Sequence, residues 1–276
     1  MNFYKPDSLL EALKLLSDLP DKKLLLAGGS DINILIRQKK ITAESVIFIN
    51  HLSELHGIDI FNNKLIIGAA TTISEISHSL LIREHCPFLA ASLADFASPP
   101  IANFATLAGN IANSSPTADT VPLLLVLEAE LVLKSHHSTR NIPLAECYTG
   151  YKKTVLHDDE LITAIEIPML PTTDYHPYYI KIGSRTALTI SKISLAFVKH
   201  KSNFKIAAGS LNEYPRRLRN VEKYLSDNPL SQNDDALLIA LQNDVTPISD
   251  FRSDKEFRLQ VCFNYLRKFI NDTKTL

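Results

Sequence analysis

Two short segments combine glycine with small polar residues, a composition that is suited to ligand binding. In the first, LLAGGSDI (25–32), a strand-like run ends at Gly28-Gly29. Glycine has no Cβ, so a ligand can come close, and consecutive backbone N–H groups form a nest that binds diphosphate. Ser30 adds a hydroxyl donor. A glycine pair after a strand is more often a plain turn, and the segment lacks the GxGxxG and GxxxxGK[ST] patterns, so alone it leaves both interpretations open.

The second segment is ATLAGNIANSSPTADT (105–120). It has few large apolar side chains, and its neutral hydrogen-bonding groups are Thr106, Asn110, Asn113, Ser114, Ser115 and Thr117. Gly109 allows close approach, and Asp119, its one carboxylate, is suited to accept from sugar hydroxyls. Small polar groups without basic residues favour a large ligand held mainly by backbone donors. A solvated loop would also be polar, so this segment too has two interpretations.

Composition limits the classes of function. The chain has 276 residues, which suggests two domains, and its 29 basic and 30 acidic side chains leave a net charge of −1. Such a balance argues against binding to nucleic acid, which favours a basic excess. No apolar run approaches the ~18–20 residues of a membrane helix, and the N-terminal residues do not resemble a signal peptide. We therefore expect a cytoplasmic protein without membrane insertion.

Cysteine and histidine spacing argues against a metal site within the chain. Cys86, Cys147 and Cys262 lie far apart and form no CxxC pair, so no iron–sulfur or structural zinc site is expected from them. They are interpreted as buried free thiols of a reducing compartment. The nine histidines form no HExxH pattern.

Several helices and strands of the first part can be placed from local patterns. Ser8 with Glu11, and Thr72 with Glu75, have the spacing of capping boxes, so helices are predicted after each pair, the second over roughly 73–82. Another helix is predicted over 87–97, ended by Pro99-Pro100. The strand predictions are KLLLA, VIFIN (46–50), KLIIGAA (64–70) and ELITAIEIP (160–168). The long polar stretch 98–122 between these elements indicates a functional loop.

The second part begins after the polar, proline-bearing segment 170–177. Three antiparallel strands are predicted, YYIKIG, ISLAFVKH and NFKIAAGSL, with the last two joined around Lys201-Ser202-Asn203. Three helical stretches follow them. The last is predicted to begin at a Ser253/Glu256 capping box and carries apolar residues at four-residue intervals.

Taken in order, these segments resemble a known family over nearly the full length. The chain is similar to the FAD-binding subunit of the molybdenum hydroxylases, the xanthine dehydrogenase and carbon monoxide dehydrogenase family. LLAGGSDI resembles that family's first diphosphate-binding loop, and ASPPIANFATLAGNIANSSPTAD resembles its second. ELITAIEIP is similar to the end of its flavin domain. IKIGSRTALTISKISLAFV and GSLNEYPRR resemble two landmarks of its C-terminal domain.

The resemblance implies roles for individual residues. Residues 25–32 and 106–110 would wrap the FAD diphosphate, and Asp119 would hold the ribose or adenine side. Phe96 would lie near the isoalloxazine, with Ile162 packing on the ring system and Lys181 at its polar edge. Ser184 and Arg185 match the pattern near that edge, where Arg185 would steer the phosphates of a nicotinamide cofactor. The full cofactor-binding set is Leu25, Leu26, Ala27, Gly28, Gly29, Ser30, Asp31, Ile32, Phe96, Thr106, Leu107, Ala108, Gly109, Asn110, Asp119, Ile162 and Lys181.

The resemblance also implies a fold and partners. The fold class is α+β: an FAD-binding domain of the PCMH (vanillyl-alcohol oxidase-like) type over 1–170, with subdomains of about 1–58 and 59–170, and a C-terminal domain over 171–276 with a three-stranded antiparallel sheet and helices. The FAD would be non-covalent and lie between the domains. It would take electrons from [2Fe–2S] clusters on a small subunit, while a large subunit holds the molybdopterin, and pass them to NAD⁺ or another acceptor.

The chain departs from the family pattern at two positions. Ala108 stands where the family usually has glycine, and if that position needs positive φ, alanine costs ~1–2 kcal/mol. Ala102 replaces a common basic residue. Two alternatives stay open: a stand-alone FAD-dependent reductase of the related fold and, because of Ala108, a flavin-free scaffold subunit. The substrate of the complex and the stoichiometry do not follow from the sequence.

Overall fold

A computed structural model describes residues 1–20, 22–171, 173–185, 189–228 and 233–274. The chain forms two compact units. Unit 1 comprises residues 1–113, 128–149 and 153–169, and unit 2 comprises residues 114–127, 150–152 and 170–276. The α-helices of the described residues are α1 Leu9–Asp18, α2 Ile32–Arg37, α3 Ile73–His78, α4 Leu80–His85, α5 Pro87–Leu93, α6 Pro99–Ala102, α7 Leu107–Ala112, α8 Thr120–Val126, α9 Arg219–Asp227, α10 Asp234–Asp244 and α11 Lys255–Lys274.

The strands follow the same order along the chain. They are β1 Asn2–Tyr4, β2 Lys23–Leu26, β3 Ser45–Phe48, β4 Ile58–Phe61, β5 Lys64–Gly68, β6 Glu130–Lys134, β7 Thr139–Pro143, β8 Tyr148–Gly150, β9 Lys153–Thr154, β10 Leu161–Pro168, β11 Tyr175–Ile182, β12 Ile193–His200, β13 Asn203–Gly209 and β14 Arg216–Arg217. A run of helices, α3 to α8, is followed by a run of strands, β6 to β14, and then by the helices α9 to α11, which is the pattern of the α+β class.

Unit 1 contains two main sheets. The first is a three-stranded parallel sheet in the order β1-β3-β2, and β2 leads directly into the Gly28-Gly29 turn. The second has five strands in the order β4-β5-β10-β6-β7, and its neighbours run antiparallel. The central strand β10 alternates buried and half-buried residues after Thr163, which is the pattern of a strand with one face in the core.

Unit 2 contains a four-stranded antiparallel sheet in the order β11-β12-β13-β14. Helix α8 packs against β12 and β13, α9 against β13, and α11 against β12. The core of this unit is centred on Phe197, which is fully buried and stacks on Phe269 of α11 with 4.9 Å between ring centroids. Apolar residues of the strands and of the helices thus bury one another in the core of this unit.

The structure confirms the capping box of Thr72 and Glu75 and moves other predicted boundaries. The helix predicted over 73–82 is interrupted at Ser79, which ends α3 and caps α4. The helix predicted over 87–97 ends at Leu93, and Pro99-Pro100 begins α6 instead of ending a helix, because proline is favoured in a first turn. These differences shorten the elements that precede the second polar segment.

Two predictions for the second part were also incomplete or wrong. The hairpin joined at Lys201 is present, but a short fourth strand, β14, extends the predicted three-stranded sheet. The last helix is capped by Asp254, whose Oδ1 accepts from the backbone N–H of Phe257 at 2.7 Å. Ser253 is not the cap because its backbone N–H donates to Asp250 in the preceding turn.

Candidate functional site

The first polar segment forms a row of backbone donors. Leu25 and Leu26 end β2, and Ile32 begins α2, so Ala27 to Asp31 make the turn between them. Gly29 has φ +71°, the left-handed region that glycine tolerates best. Within the described part of the chain, the backbone N–H groups of residues 28–31 meet no protein acceptor. Four consecutive donors on a half-exposed turn are suited to an anion.

Gly28 is required for packing inside unit 1. A Cβ added at Gly28 would lie 1.5 Å from the carbonyl oxygen of Phe104, just before the second polar segment. A second link joins the two segments, because the Asn113 side-chain amide donates to Asp31 Oδ2 at 2.7 Å. The structure therefore brings the first segment against both ends of 104–113.

The start of the second segment forms a capped helix turn. Thr106 is the N-cap of α7 and accepts from the N–H of Gly109 at 3.1 Å. The N–H groups of Leu107 and Ala108 donate to carbonyls of Thr71 and Ala69. Since the protein already uses these donors, residues 106–110 present fewer free N–H groups than the first segment does.

Ala108 is helical and buried, and its φ is not positive. The strain expected if this position required a left-handed conformation is therefore absent. An alanine in a helix costs no steric penalty, so this departure from the family pattern gives no structural reason for lost binding.

Asp119 and Lys181, predicted from separate segments, contact each other in unit 2. Lys181 Nζ lies 2.6 Å from Asp119 Oδ2, and both side chains are largely buried, at 13% and 15% exposure. Ser191 donates its hydroxyl proton to Asp119 Oδ1 in a short hydrogen bond. The hydroxyl of Tyr179 donates to the backbone carbonyl of Asp119 at 3.3 Å. The carboxylate thus anchors an ammonium group instead of standing free.

Tyr179 and Ser191 were missed by the sequence analysis. A signal for Tyr179 was present: it lies two residues before Lys181 in β11, so both side chains point to one face of the strand. Ser191 had no such signal, since it lies in an irregular segment before β12 and is fully buried. Only the folded chain shows that it contacts Asp119.

Other predicted residues lie elsewhere and are not joined to these groups by described contacts. Phe96 is half-buried beyond the end of α5, in unit 1. Ile162 is 2% exposed in β10, opposite Leu133 of β6. Ser184 and Arg185 are exposed in the segment after β11. Their expected contacts with a flavin or a nicotinamide stay predictions.

The three thiols are free and buried, as expected. Burial raises the pKa of Cys86 to about 11 and that of Cys147 to about 12, and it raises the pKa of Cys262 as well. Among the described residues, no three His, Cys, Asp or Glu side chains gather to hold a metal ion. In the same residues, no helix is long and apolar enough to cross a membrane.

Comparison with known proteins decides the family. The profile described as "FAD binding domain in molybdopterin dehydrogenase" matches residues 1–170, which is more than half of the chain. The chain belongs to this family. A second profile, "CO dehydrogenase flavoprotein C-terminal domain", matches residues 178–273. The chain is thus an FAD-binding subunit of the molybdenum hydroxylase family, and FAD is its cofactor.

Relatives cover nearly the whole chain. The xanthine dehydrogenase FAD-binding subunit of Escherichia coli is 31% identical over 98% of this chain and 95% of its own. The glyceraldehyde dehydrogenase medium chain of Sulfolobus acidocaldarius is 27% identical over 94% of this chain and 93% of its own. The structure of carbon monoxide dehydrogenase from Hydrogenophaga pseudoflava matches with a TM-score of 0.91 and 25% identity, over 97% of this chain and 95% of the matched chain. These matches support the α+β fold and an oxidoreductase subunit.

Proposed function

We propose that this FAD-binding subunit transfers electrons within a molybdenum hydroxylase complex. Electrons from [2Fe–2S] clusters on a small partner subunit reach the FAD and pass to NAD⁺ or another acceptor, while a large partner subunit holds the molybdopterin. When bound, the flavin exchanges electrons with both sides. The substrate is selected on the large subunit, and the predicted location of the complex is the cytoplasm.

One observation carries the assignment of the diphosphate site: the row of backbone N–H groups at residues 28–31 that meet no acceptor among the described residues. Each N–H offered to a charged phosphate oxygen makes a charge-assisted hydrogen bond, which is stronger than one between neutral groups. The Asn113–Asp31 hydrogen bond holds the end of this turn. The residues predicted for the diphosphate thus include backbone donors that no described residue of the protein uses.

Asp119 and Lys181 are proposed to act as a pair beside the cofactor. Both carboxylate oxygens of Asp119 already accept a hydrogen bond, yet each has further lone pairs that a ribose hydroxyl can use. Lys181 forms the ion pair with Asp119, and its ammonium is the cation proposed for the polar edge of the flavin. Phe96 and Ile162 stay in the proposal as contacts of the ring system.

The need for partner clusters is argued from the ligands. A [2Fe–2S] cluster generally takes four cysteine thiolates, and this chain has three cysteines, all buried and far apart in sequence. Thiols with raised pKa values are also poor metal ligands, because the thiolate is the form that binds. The electrons are therefore proposed to arrive from clusters held by another chain.

The diphosphate site is tested with Gly29→Ala. The Cβ would force the left-handed residue to strain and would meet Asn33 Nδ2 at 2.6 Å. We expect FAD affinity, followed by flavin absorbance and fluorescence quenching, to fall by about tenfold or more, as for the loss of one charge-assisted hydrogen bond. The matched control is Gly57→Ala, which strains another positive-φ glycine, at φ +104°, outside both polar segments.

Equal loss of FAD affinity in both variants would contradict the proposed role of residues 28–31. If the wild-type chain does not retain added FAD through gel filtration, the proposal that the isolated chain transfers electrons would be contradicted. Co-purification of the tagged chain with a large and a cysteine-rich small subunit tests the complex. A chain that binds FAD and purifies without such partners would instead favour the stand-alone reductase.

A further inference from the structure

A buried arginine in unit 2 is connected to the Asp119–Lys181 pair through a series of hydrogen bonds. Arg258, in the first turns of α11, is 3% exposed. Its Nη1 donates to the backbone carbonyls of Lys192 at 3.2 Å and Ser210 at 2.7 Å. One guanidinium therefore holds the segment that precedes β12 to the segment that follows β13.

Side-chain hydrogen bonds connect the two segments held by Arg258 to Asp119. Ser210 donates its hydroxyl proton to the carbonyl of Ser191 at 3.2 Å. The hydroxyl of Ser191 donates in turn to Asp119, which pairs with Lys181. The backbone is thus held at two successive carbonyls, by Ser210 at that of Ser191 and by Arg258 at that of Lys192. The Ser191 hydroxyl therefore reaches Asp119 from a backbone that these two contacts hold in place.

Asp250 sets the orientation of Arg258. Its Oδ1 accepts from Arg258 Nη2 at 2.8 Å and from the backbone N–H groups of Arg252 and Ser253, so the carboxylate is part of a turn. Burial opposes ionisation of Asp250, but the backbone hydrogen bond from Arg252 and the Arg258 charge together hold its pKa below the usual value. The guanidinium thus has a fixed anionic partner.

A buried guanidinium is costly unless its donors are used, and its removal leaves the groups it held without partners. Here those groups are the carbonyl of Lys192, directly after Ser191, and the carbonyl of Ser210, whose hydroxyl donates to Ser191. Loss of Arg258 would free both carbonyls to move toward water, and the Ser191 hydroxyl would move with them. Asp119 would then lose its fixed position, and its contact with Lys181 would weaken.

We propose that Arg258 is a positioning residue that, through Ser210 and Ser191, fixes the Asp119 carboxylate and so the place of the Lys181 ammonium. The consequence for FAD rests on the proposed function, since Lys181 is assigned to the flavin edge. The hydrogen-bonded path itself does not depend on FAD and is testable in the flavin-free full-length chain.

The test measures how fast each lysine of the folded chain is acetylated by a water-soluble N-hydroxysuccinimide ester, by peptide mass spectrometry. In Arg258→Gln we expect acetylation of Lys181 to accelerate by about tenfold, the size expected when a charge-assisted hydrogen bond is lost. Lys199 is the internal reference. It donates to the carbonyl of Thr273 in α11 at 2.5 Å, so general loosening of α11 would expose it too.

Arg252→Gln is the matched control, because Arg252 also pairs with Asp250 but bonds neither Lys192 nor Ser210 in the described contacts. It should leave Lys181 at the wild-type rate, and Arg258→Lys should restore part of the protection. If Arg258→Gln does not fold, Ser191→Ala removes the hydroxyl alone and should also expose Lys181. An unchanged Lys181 rate in whichever variant folds, or a parallel rise at Lys199, would overturn the proposal.

The flavin measurement separates this inference from the proposed function. With FAD bound, Arg258→Gln should shift the flavin reduction potential to a more negative value, because the cation that favours added electrons is displaced. Faster Lys181 acetylation with an unchanged potential would support the positioning path and contradict the assignment of Lys181 to the flavin edge.

Discussion

At the scale of single residues, position 28 has the strictest requirement. A Cβ added at Gly28 would lie 1.5 Å from the carbonyl oxygen of Phe104, so the structure has no room for one. Gly28→Ala must therefore push the two polar segments apart. We expect the free energy of unfolding to fall by about 1–3 kcal/mol, as for overpacking in a core, and FAD affinity to fall with it.

Urea unfolding with and without FAD measures both effects. Ser30→Ala is the control for stability, because it changes a side chain of the same turn without adding atoms near Phe104. If Gly28→Ala matched Ser30→Ala in stability, the close contact would not constrain the turn. The sequence predicted the importance of Gly28 for a ligand, whereas the structure shows that its missing Cβ serves the protein's own packing.

The contacts of Asp119 show why a sequence can identify individual site residues, whereas only the structure shows which of them contact each other. The sequence itself singled out Asp119 as the one carboxylate of its segment, whereas Lys181 came only from the resemblance, which gave both a role. Their ion pair, and the hydrogen bond from Ser191, depend on how α8 packs against the sheet of unit 2. Such packing joins residues far apart in sequence and leaves no local pattern.

At the scale of helices and strands, local capping signals predicted helix starts well where no other contact competed. Thr72 and Glu75 form the full capping box because both partners lie within one turn. Ser8 accepts from Glu11 as expected, although the Glu11 carboxylate accepts from the N–H of Asp7. At the last helix, the Asp250 turn uses the N–H of Ser253, so the cap moves to Asp254.

Thr72 also lies beside the second polar segment. It forms an antiparallel bridge with Thr106, and the N–H of Ile73 donates to the carbonyl of Ala105 at 2.9 Å. Thr72→Ala should lower the free energy of unfolding by about 1 kcal/mol, the usual cost of a lost N-cap. Thr72→Ser keeps the hydroxyl and should recover most of it in the same urea titration. Equal losses in both variants would show that the methyl group, and not the cap, matters.

The ion pair of Arg140 and Glu160 ties β7 to the turn before β10. Two hydrogen bonds of 2.7 and 2.8 Å join them, and Glu160 is 3% exposed in its side chain. The hydrogen bonds from Arg140 lower the pKa of Glu160 from its usual value of 4.5. The unfolded chain therefore binds this proton more tightly than the folded chain does, so acid favours unfolding.

The stabilisation from this pair should be complete above pH 4.5, the usual value, and should be lost as the pH falls through the lower folded value. In urea unfolding across this pH range, Glu160→Gln should have a lower free energy of unfolding than the wild type above pH 4.5. As the pH falls, its free energy of unfolding should decrease less than that of the wild type. Glu146→Gln, at an exposed position of the same unit, should keep the wild-type slope. A wild-type slope in Glu160→Gln would exclude this pair as a source of acid sensitivity.

At the scale of the whole molecule, the α+β class was expected from the family resemblance, whereas local hydrophobic periodicity predicted only the individual helices and strands. The grouping of residues 114–127 with unit 2 did not, because composition marks only the linker at 170–177. Helix α8 is apolar on all sides, and its seven residues are all buried. The sequence of such a helix predicts that the helix is buried, but it does not predict which unit buries it.

The buried thiols give a prediction that covers both units, since Cys86 and Cys147 lie in unit 1 and Cys262 lies in unit 2. The thiolate is the reactive form, and burial raises all three pKa values, to about 11 for Cys86 and about 12 for Cys147. At mildly alkaline pH, a disulfide reagent such as DTNB should label the native chain at least about a hundredfold more slowly than the urea-unfolded chain. One rapidly labelled thiol in the native chain would contradict this, and Cys→Ser variants would identify it. Slow labelling of all three would mean that the folded chain has no accessible thiolate to ligate a cluster, which is what the proposed division of labour with a cluster-bearing subunit requires.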